Sequence, residues 1–153
     1  MRYLTGVLFI ALLFACGSGG QEAGGQGEAE NTAKADDGKG IGEITNVTLN
    51  DPLNADMVSR GKGIYEMKCA ACHKLTDQRV VGPGWAGVTK TRKPEWIMNM
   101  ITNVEVMLEK DPAARQLLEE CLTRMPNQNL TIDDSRDVLE FMYANDGGAV
   151  AGQ

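Results

Sequence analysis

Two cysteines and the only histidine of the chain occur within five residues, in the run Cys69-Ala70-Ala71-Cys72-His73. Two thiols at this spacing can form thioether bonds to the two vinyl groups of haem, and the histidine that follows then lies under the iron. The same spacing occurs in redox-active dithiols of the thioredoxin type. A zinc site is disfavoured because no second such group of Cys or His residues is available to complete four ligands. The motif favours one covalently attached haem c, with His73 as an iron ligand.

A six-coordinate haem iron needs a second axial ligand, and the methionines are the candidates because no other histidine exists. Met125 precedes Pro126, and a proline at that place holds the backbone in an extended turn that fixes the angle of the thioether. Met98 and Met100 fall in a run that looks helical, where methionine usually fills gaps in the core. The sequence predicts Met125 as the second ligand, with Met98 or Met100 as the alternative.

The first sixteen residues have the composition of an export signal. Arg2 precedes an apolar run over residues 7–14 that is shorter than the roughly 20 residues needed to cross a bilayer. The end of this segment, Leu13-Phe14-Ala15-Cys16, resembles a bacterial lipobox, in which the cysteine is acylated. The resemblance implies a signal peptide over residues 1–15 and a lipid on Cys16. It implies a protein on the periplasmic side of a membrane, with Gly17 favouring the outer membrane over the inner one.

The stretch that follows has a different composition. Residues 16–50 are rich in Gly, Ala, Glu, Gln and Asp, with almost no large apolar side chain before Ile41. Such a segment buries too little apolar surface to offset the entropy lost on ordering, so we expect a flexible linker there and a folded domain over residues 51–153. The net charge of −6 argues against nucleic-acid binding, which needs a basic surface.

Two further motifs flank the cysteine run. Upstream lies Gly61-Lys62-Gly63-Ile64-Tyr65-Glu66-Met67-Lys68, and downstream lies Val81-Gly82-Pro83-Gly84-Trp85-Ala86-Gly87-Val88. From about residue 54 to 145, the chain resembles the class I cytochromes c, with Trp85 in place of a leucine in the family's Gly-Pro-x-Leu-x-Gly loop. The resemblance implies an all-α fold of about four to five short helices around one covalent haem. It also implies that the Pro83 carbonyl accepts a hydrogen bond from His73, which orients the ring.

The resemblance further predicts where the first and last helices meet. Gly61 and Tyr65 are four residues apart and share one helical face. In the family, a glycine at this place lets the last helix cross closely, so Gly61 is the expected contact rather than Gly63. Phe141 is the expected aromatic partner on the last helix.

Local signals predict the remaining helices. Proline in its favoured first-turn place opens one helix at Pro94, and Asp111-Pro112 precedes another that ends near Thr123. The last helix is expected from about Asp133 to Tyr143, with Thr131 or Asp133 as its cap.

Two side chains in these helices, Trp96 and Cys121, each allow two roles. Trp96 belongs to an apolar stripe that is expected to face the haem. Its indole N–H could donate to a haem propionate, although a tryptophan in such a stripe is more often simply packed. Cys121 has no intramolecular disulfide partner once the other cysteines are acylated or attached to haem. We expect it to be a small buried apolar residue, with a reactive thiol as the alternative.

Iron with both axial positions filled has no open site for a substrate, so the sequence predicts a single-electron carrier rather than an enzyme. Expected partners are redox proteins, namely a quinol-oxidising complex and a terminal oxidase or nitrogen-oxide reductase, and the chain is expected to be a monomer. The alternatives are a haem subunit or docking domain of a larger respiratory complex, and a haem enzyme or gas sensor with a displaceable sixth ligand. Basic residues expected to border the haem edge form either a ring that docks acidic partners or ordinary solvated charge: Lys68, Lys74, Arg79, Lys90, Arg92, Lys93 and Arg124.

Overall fold

Helices form the regular structure of the protein, for which the computed structural model describes residues 37–152. The α-helices are α1 (Ala55–Ile64), α2 (Val88–Thr91), α3 (Pro94–Thr102), α4 (Val104–Lys110), α5 (Pro112–Cys121) and α6 (Ile132–Asn145). A π-helical turn, Tyr65–Cys69, continues α1. Within the described residues, β-structure is limited to two isolated bridges. The predicted all-α fold is confirmed, with six α-helices in this part of the chain where about four to five were predicted.

Helices α3, α5 and α6 begin at, or within one residue of, the positions that local signals predicted. Pro94 and Pro112 occupy the first turns of α3 and α5. At the start of α6, the Thr131 hydroxyl accepts from the Asp134 backbone N–H at 3.0 Å, and the Asp134 carboxylate accepts from the Thr131 N–H at 3.1 Å. This reciprocal pair satisfies backbone N–H groups that have no partner inside the helix. Thr131 is therefore the cap, and α6 begins at Ile132, one residue before the predicted start.

The first and last helices cross at Gly61, as predicted. A Cβ atom on Gly61 would overlap the carbonyl group of Asp137 in α6, whereas a Cβ on Gly63 would meet nothing within 4 Å. One turn further on, the ring centroids of Tyr65 and Phe141 are 5.5 Å apart. Only glycine permits this backbone approach, so Gly61 sets the distance between the two helices.

A buried carboxylate on α6 anchors the chain that leads into α1. The side chain of Glu140 is fully buried, and its Oε1 accepts from Arg136 Nη2 at 2.6 Å. The same oxygen accepts from the Asn50 side-chain amide at 2.9 Å, and Oε2 accepts from the Asn54 N–H at 3.2 Å. A buried charge is tolerated when it is paired and hydrogen-bonded in this way.

The structure corrects the predicted boundary between linker and domain. Residues 37–50, here called the N-terminal strap, have no helix but pack on α3. The amide of the fully buried Asn99 donates to the carbonyls of Ile44 at 2.9 Å and Lys39 at 3.0 Å, and its oxygen accepts from the Ile44 N–H at 3.2 Å. The folded domain therefore starts by residue 37 rather than at 51, because one buried side chain satisfies the backbone of a glycine-rich segment that buries little apolar surface of its own.

The predicted signal peptide over residues 1–15, the predicted lipid site Cys16 and the linker up to residue 36 lie outside the described residues and stay predictions. Among the residues that are described, no helix is long and apolar enough to cross a membrane.

Candidate functional site

One cavity of about 610 Å³ in the described part of the chain brings together most of the candidate ligands. His73, Cys72 and Met125 all line it, with mainly apolar side chains around them. The volume is within the range of sites that bind cofactors and other small molecules. Side chains from α2, α3, α5 and α6 complete the walls, among them Val88, Trp96, Ile97, Met100, Ile101, Leu117, Leu118 and Met142.

The environment of His73 leaves one ring nitrogen with a lone pair that can bind a metal. Its Nδ1 lies 2.8 Å from the Pro83 carbonyl oxygen, so the predicted contact is present. A carbonyl can only accept, so Nδ1 carries the proton and the lone pair is on Nε2. Burial lowers the pKa of His73, although the Pro83 hydrogen bond opposes this effect. The ring is therefore held neutral, which is the form that ligates a metal.

Backbone contacts fix the position of this imidazole. The Tyr65 hydroxyl donates to the His73 carbonyl at 2.8 Å. The Gly82 N–H donates to the Cys72 carbonyl at 3.0 Å, which brings the Gly-Pro loop alongside the ring. A Cβ atom on Gly82 would lie only 2.8 Å from His73 Nδ1. The glycine therefore leaves the space that the ring occupies, and the sequence supplies this fit through two adjacent residues, Gly82 and Pro83.

The cysteines occupy different environments. Cys72 is half-buried at the cavity wall, whereas Cys69 is buried behind it and is not among the lining residues. Burial raises the pKa of the Cys69 thiol to about 11, which keeps it protonated at neutral pH. Cys121 lines the same cavity and is half-buried. The C-terminal end of α5 places Cys121 at the cavity wall rather than against the helix bundle.

The cavity separates the methionine candidates. Met125 is half-buried and lines it, in a segment without helix between α5 and α6. Met100 also lines it, from α3. Met98 is fully buried in the core and does not reach the cavity. Of the two alternatives to Met125, only Met100 faces the same space as His73.

The ring of Trp96 lines the cavity, but its indole N–H donates to another side chain of the protein. The indole Nε1–H donates to Asp111 Oδ1 at 3.0 Å, in a buried hydrogen bond. A buried carboxylate from the start of α5 already accepts this N–H, which favours the interpretation in which Trp96 is packed over the one in which it donates to a haem propionate. The guanidinium of Arg92 lies 4.6 Å from the Trp96 ring centroid, which is a cation–π contact at the cavity wall.

Four of the seven basic residues around the expected haem edge have the following partners within the described part of the chain. Arg79 pairs with Glu120 at 2.8 Å, Lys93 donates to the Asp37 carbonyl at 2.5 Å, and Lys68 donates to the Gln128 carbonyl at 3.2 Å. Arg92 packs on Trp96, as described above. Lys68 and Lys93 keep their positive charges when they donate to carbonyls, so the docking ring and ordinary surface charge both stay predictions.

The donor set fits covalently held haem. An imidazole nitrogen, a thioether and a thiol line one apolar cavity, and the second thiol of the motif lies just behind its wall. Sequence reasoning missed Asn99, Glu140 and Asp111. Asn99 could have been noticed as a polar residue within the apolar stripe of α3. Its hydrogen-bond partner, the Ile44 carbonyl, comes from a distant part of the chain.

Comparisons with known proteins agree with this site. Residues 58–145 match the family model described as "Cytochrome c". A cytochrome c from Rhodothermus marinus is 32% identical, with a TM-score of 0.68, and the match covers 71% of this chain and 93% of that one. An engineered form of the same cytochrome is 31% identical over 71% of this chain and 94% of its own, with a TM-score of 0.67. A cytochrome c domain from Pseudomonas putida is 26% identical over 56% of this chain and 87% of its own, with a TM-score of 0.50.

No curated protein is similar to the chain at a significant level. The family match nevertheless spans more than half of the chain and includes the cysteine run, His73 and Met125. The chain therefore belongs to the cytochrome c family, and it is a covalent haem protein of the electron-transfer type.

Proposed function

We propose that this protein is a monohaem electron carrier, in which Cys69 and Cys72 attach one haem c and His73 and Met125 ligate its iron. The haem supplies reversible one-electron chemistry at the iron. The side chains hold it, set its ligand field and exclude water. The carrier passes single electrons between respiratory redox proteins, such as a quinol-oxidising complex and a terminal oxidase or nitrogen-oxide reductase.

The observation that carries this proposal is the pairing of His73 and Met125 on one apolar cavity. His73 offers Nε2, because Nδ1 donates to the Pro83 carbonyl at 2.8 Å. Met125 offers a neutral thioether, which raises the reduction potential relative to a second histidine. Two protein ligands would leave no coordination site for a substrate, which favours a carrier over a haem enzyme.

The two thiols have separate parts in attachment. Cys72 lies at the cavity wall, where one vinyl group would be reached. Cys69 is buried with a raised pKa, so its thiol is not a ready nucleophile in the folded chain. The buried position of Cys69 supports an order of events in which haem is attached first and the π-helical turn packs against α6 afterwards. The exported chain would then fold around its haem.

The ligand assignment is tested by the spectrum of the ferric protein. Met125→Ala should abolish the weak sulfur-to-iron charge-transfer band in the near infrared and should allow imidazole to bind. Met100→Leu is the matched control, because Met100 lines the same cavity and leucine has a similar volume. It should keep the band. Loss of the band in Met100→Leu but not in Met125→Ala would assign the ligand to Met100.

We further propose that a lipid on Cys16 holds the protein on the periplasmic side of a bacterial membrane, with the outer membrane favoured. The support is the lipobox-like end of the leader, Leu13-Phe14-Ala15-Cys16. Metabolic labelling with a radioactive fatty acid should mark the wild-type protein in the membrane fraction. Cys16→Ser should be unlabelled, and equal labelling of both forms would exclude this site.

A further inference from the structure

Arg79 is tied by its backbone to the histidine side of the cavity. Arg79 and His73 form an isolated antiparallel β-bridge. The chain then enters the Gly-Pro loop, whose Pro83 carbonyl lies 2.8 Å from His73 Nδ1 and accepts its proton. The backbone of Arg79 therefore belongs to the same small folded unit that fixes the imidazole.

The side chain of Arg79 reaches the end of α5, which contributes another wall of the cavity. Its Nη1 donates to the Glu120 carbonyl at 3.0 Å, and its Nη2 donates to the Glu120 carboxylate at 2.8 Å. Glu120 lies in the last turn of α5, where backbone carbonyls have no N–H partner within the helix. The guanidinium supplies a donor there and places a positive charge at the negative end of the helix dipole. Arg79 therefore fixes the end of α5 from a position 41 residues earlier in the chain.

The segment that carries Met125 begins directly after this contact. Residues 122–131, here called the methionine segment, contain no helix. Leu122 ends α5 with φ of 58°, in the left-handed region, and this conformation turns the chain out of the helix. Among the described residues, two exposed side-chain hydrogen bonds at 3.2 Å join the segment to its surroundings, namely Asn127 to Glu105 and Lys68 to the Gln128 carbonyl. Because these contacts are few and open to solvent, the position of Met125 depends in part on where the end of α5 is held.

The pair of Arg79 and Glu120 differs from an ordinary surface ion pair in what it connects. The two side chains are 45% and 41% exposed, and an exposed pair by itself contributes little to stability. The pair of Arg60 and Asp137 also has two contacts, at 2.6 and 2.8 Å, but it joins α1 to α6 and does not line the cavity. Arg79 instead joins the segments of the two candidate iron ligands. We therefore expect Arg79 to act on the position of Met125 rather than on overall stability.

We propose that Arg79 is a positioning residue that holds Met125 on the iron, by joining the histidine side of the cavity to the end of α5. The inference rests on the proposed carrier function, in which His73 and Met125 are the axial ligands. Displacement of Met125 breaks one iron–sulfur bond and forms one bond from the iron to the entering ligand, with no change of oxidation state. The methionine segment must move outwards for this exchange, and the β-bridge and hydrogen bonds of Arg79 oppose the movement.

Binding of imidazole to the ferric holoprotein measures how firmly Met125 is held, because imidazole must displace it. Arg79→Gln should bind imidazole about three- to tenfold more tightly than wild type, since both hydrogen bonds to Glu120 are lost. Glu120→Gln keeps the backbone carbonyl that Arg79 Nη1 contacts, and it should change the affinity less than about threefold. Arg60→Gln is the matched control and should stay within about twofold of wild type. Equal affinities in Arg79→Gln and wild type, or an equal increase in Arg60→Gln, would overturn the proposal.

The double variant Arg79→Gln/Met125→Ala separates this inference from the proposed function. If Arg79 acts through Met125, Arg79→Gln should have no further effect on imidazole affinity once Met125 has been replaced. An equally large effect in both backgrounds would overturn the positioning role and leave the ligand assignment intact. An unchanged imidazole affinity in Met125→Ala alone would instead overturn the ligand assignment on which the inference rests.

A second readout follows the iron–sulfur bond without an added ligand. On heating, the near-infrared sulfur-to-iron band of Arg79→Gln should disappear at a lower temperature than the one at which its helices unfold, as followed by far-ultraviolet circular dichroism. The gap between the two temperatures should be wider than in wild type and in Arg60→Gln. A gap in Arg79→Gln equal to that of wild type would indicate a purely structural role and would overturn the proposal.

Discussion

Trp96 and the backbone N–H of Ala114 donate to the same oxygen, Asp111 Oδ1, at 3.0 and 2.8 Å. Asp111 is nearly fully buried, and it is also the residue that caps α5. One carboxylate oxygen thus fixes both the start of α5 and the orientation of the indole at the cavity wall. The two walls that α3 and α5 contribute to the cavity are held together at this point.

Asp111→Ala should lower the free energy of unfolding by about 2–4 kcal/mol, because it removes a helix cap and leaves two buried donors without an acceptor. Asp111→Asn keeps an oxygen in the same place and should lose about 1 kcal/mol or less. Urea unfolding of the two holoproteins measures the difference. Equal losses in both variants would show that the charge, rather than the shared oxygen, stabilises this site.

The helix crossing gives a prediction with an internal control. Gly61→Ala should lower the free energy of unfolding by about 2 kcal/mol or more, because its methyl group would overlap the Asp137 carbonyl. Gly63→Ala, two residues away in α1, meets open space and should raise it by about 0.5–1 kcal/mol through better helix propensity. Thermal unfolding should move in opposite directions for the two variants. A shift of the same sign in both would contradict the close approach at Gly61.

Asn99→Ala should release the N-terminal strap, because three hydrogen bonds to the strap backbone disappear together. Hydrogen exchange at the Ile44 amide should become at least tenfold faster, which corresponds to about 1.4 kcal/mol or more of lost protection. Asn103→Ala is the control, since Asn103 makes one exposed hydrogen bond to the Ile41 carbonyl at 3.1 Å. Its effect on Ile44 exchange should be less than threefold. Similar exchange in the two variants would mean that apolar contacts hold the strap.

The cap of α6 predicts part of the acid sensitivity. Hydrogen bonds from the Thr131 hydroxyl and N–H hold the pKa of Asp134 below its ordinary value. A carboxyl group with a lowered pKa in the folded state stabilises the fold above its unfolded pKa of about 3.9, and this contribution is lost as the pH falls through the folded value. Thr131→Ala should therefore lower Tm at pH 6 and lose less Tm than wild type between about pH 5 and pH 2. Parallel pH profiles would contradict a role for this pair.

The parts of the fold that the sequence predicted well depend on neighbouring residues. The starts of three helices depend on residues within one turn, namely Pro94, Pro112 and Thr131. These starts can therefore be recognised from a short stretch of sequence. The contact between Pro83 and His73 was predicted from the resemblance of the Gly-Pro loop to that of the class I cytochromes c.

The missed features depend on partners far along the chain. The composition of residues 37–50 indicates a linker, and the hydrogen bonds that order this segment come from Asn99, 55 residues after Ile44. The N–H of Trp96 donates to Asp111 at the start of α5, and no local pattern distinguishes that carboxylate from a haem propionate. Long-range pairs of this kind need the fold before they can be recognised.

The π-helical turn over Tyr65–Cys69 has a further consequence for the spacing of the chain. The Ala70 N–H reaches back five residues to the Tyr65 carbonyl at 2.9 Å, so this turn holds more residues than an α-helical turn. Each residue of an α-helix rotates the chain by about 100°. The π-helical turn between Gly61 and Cys69 therefore changes the direction in which the attachment motif faces, relative to the helix crossing. Grafting the five motif residues onto an ordinary helix at the same interval would keep their chemistry but would turn Cys72 and His73 away from the haem cavity.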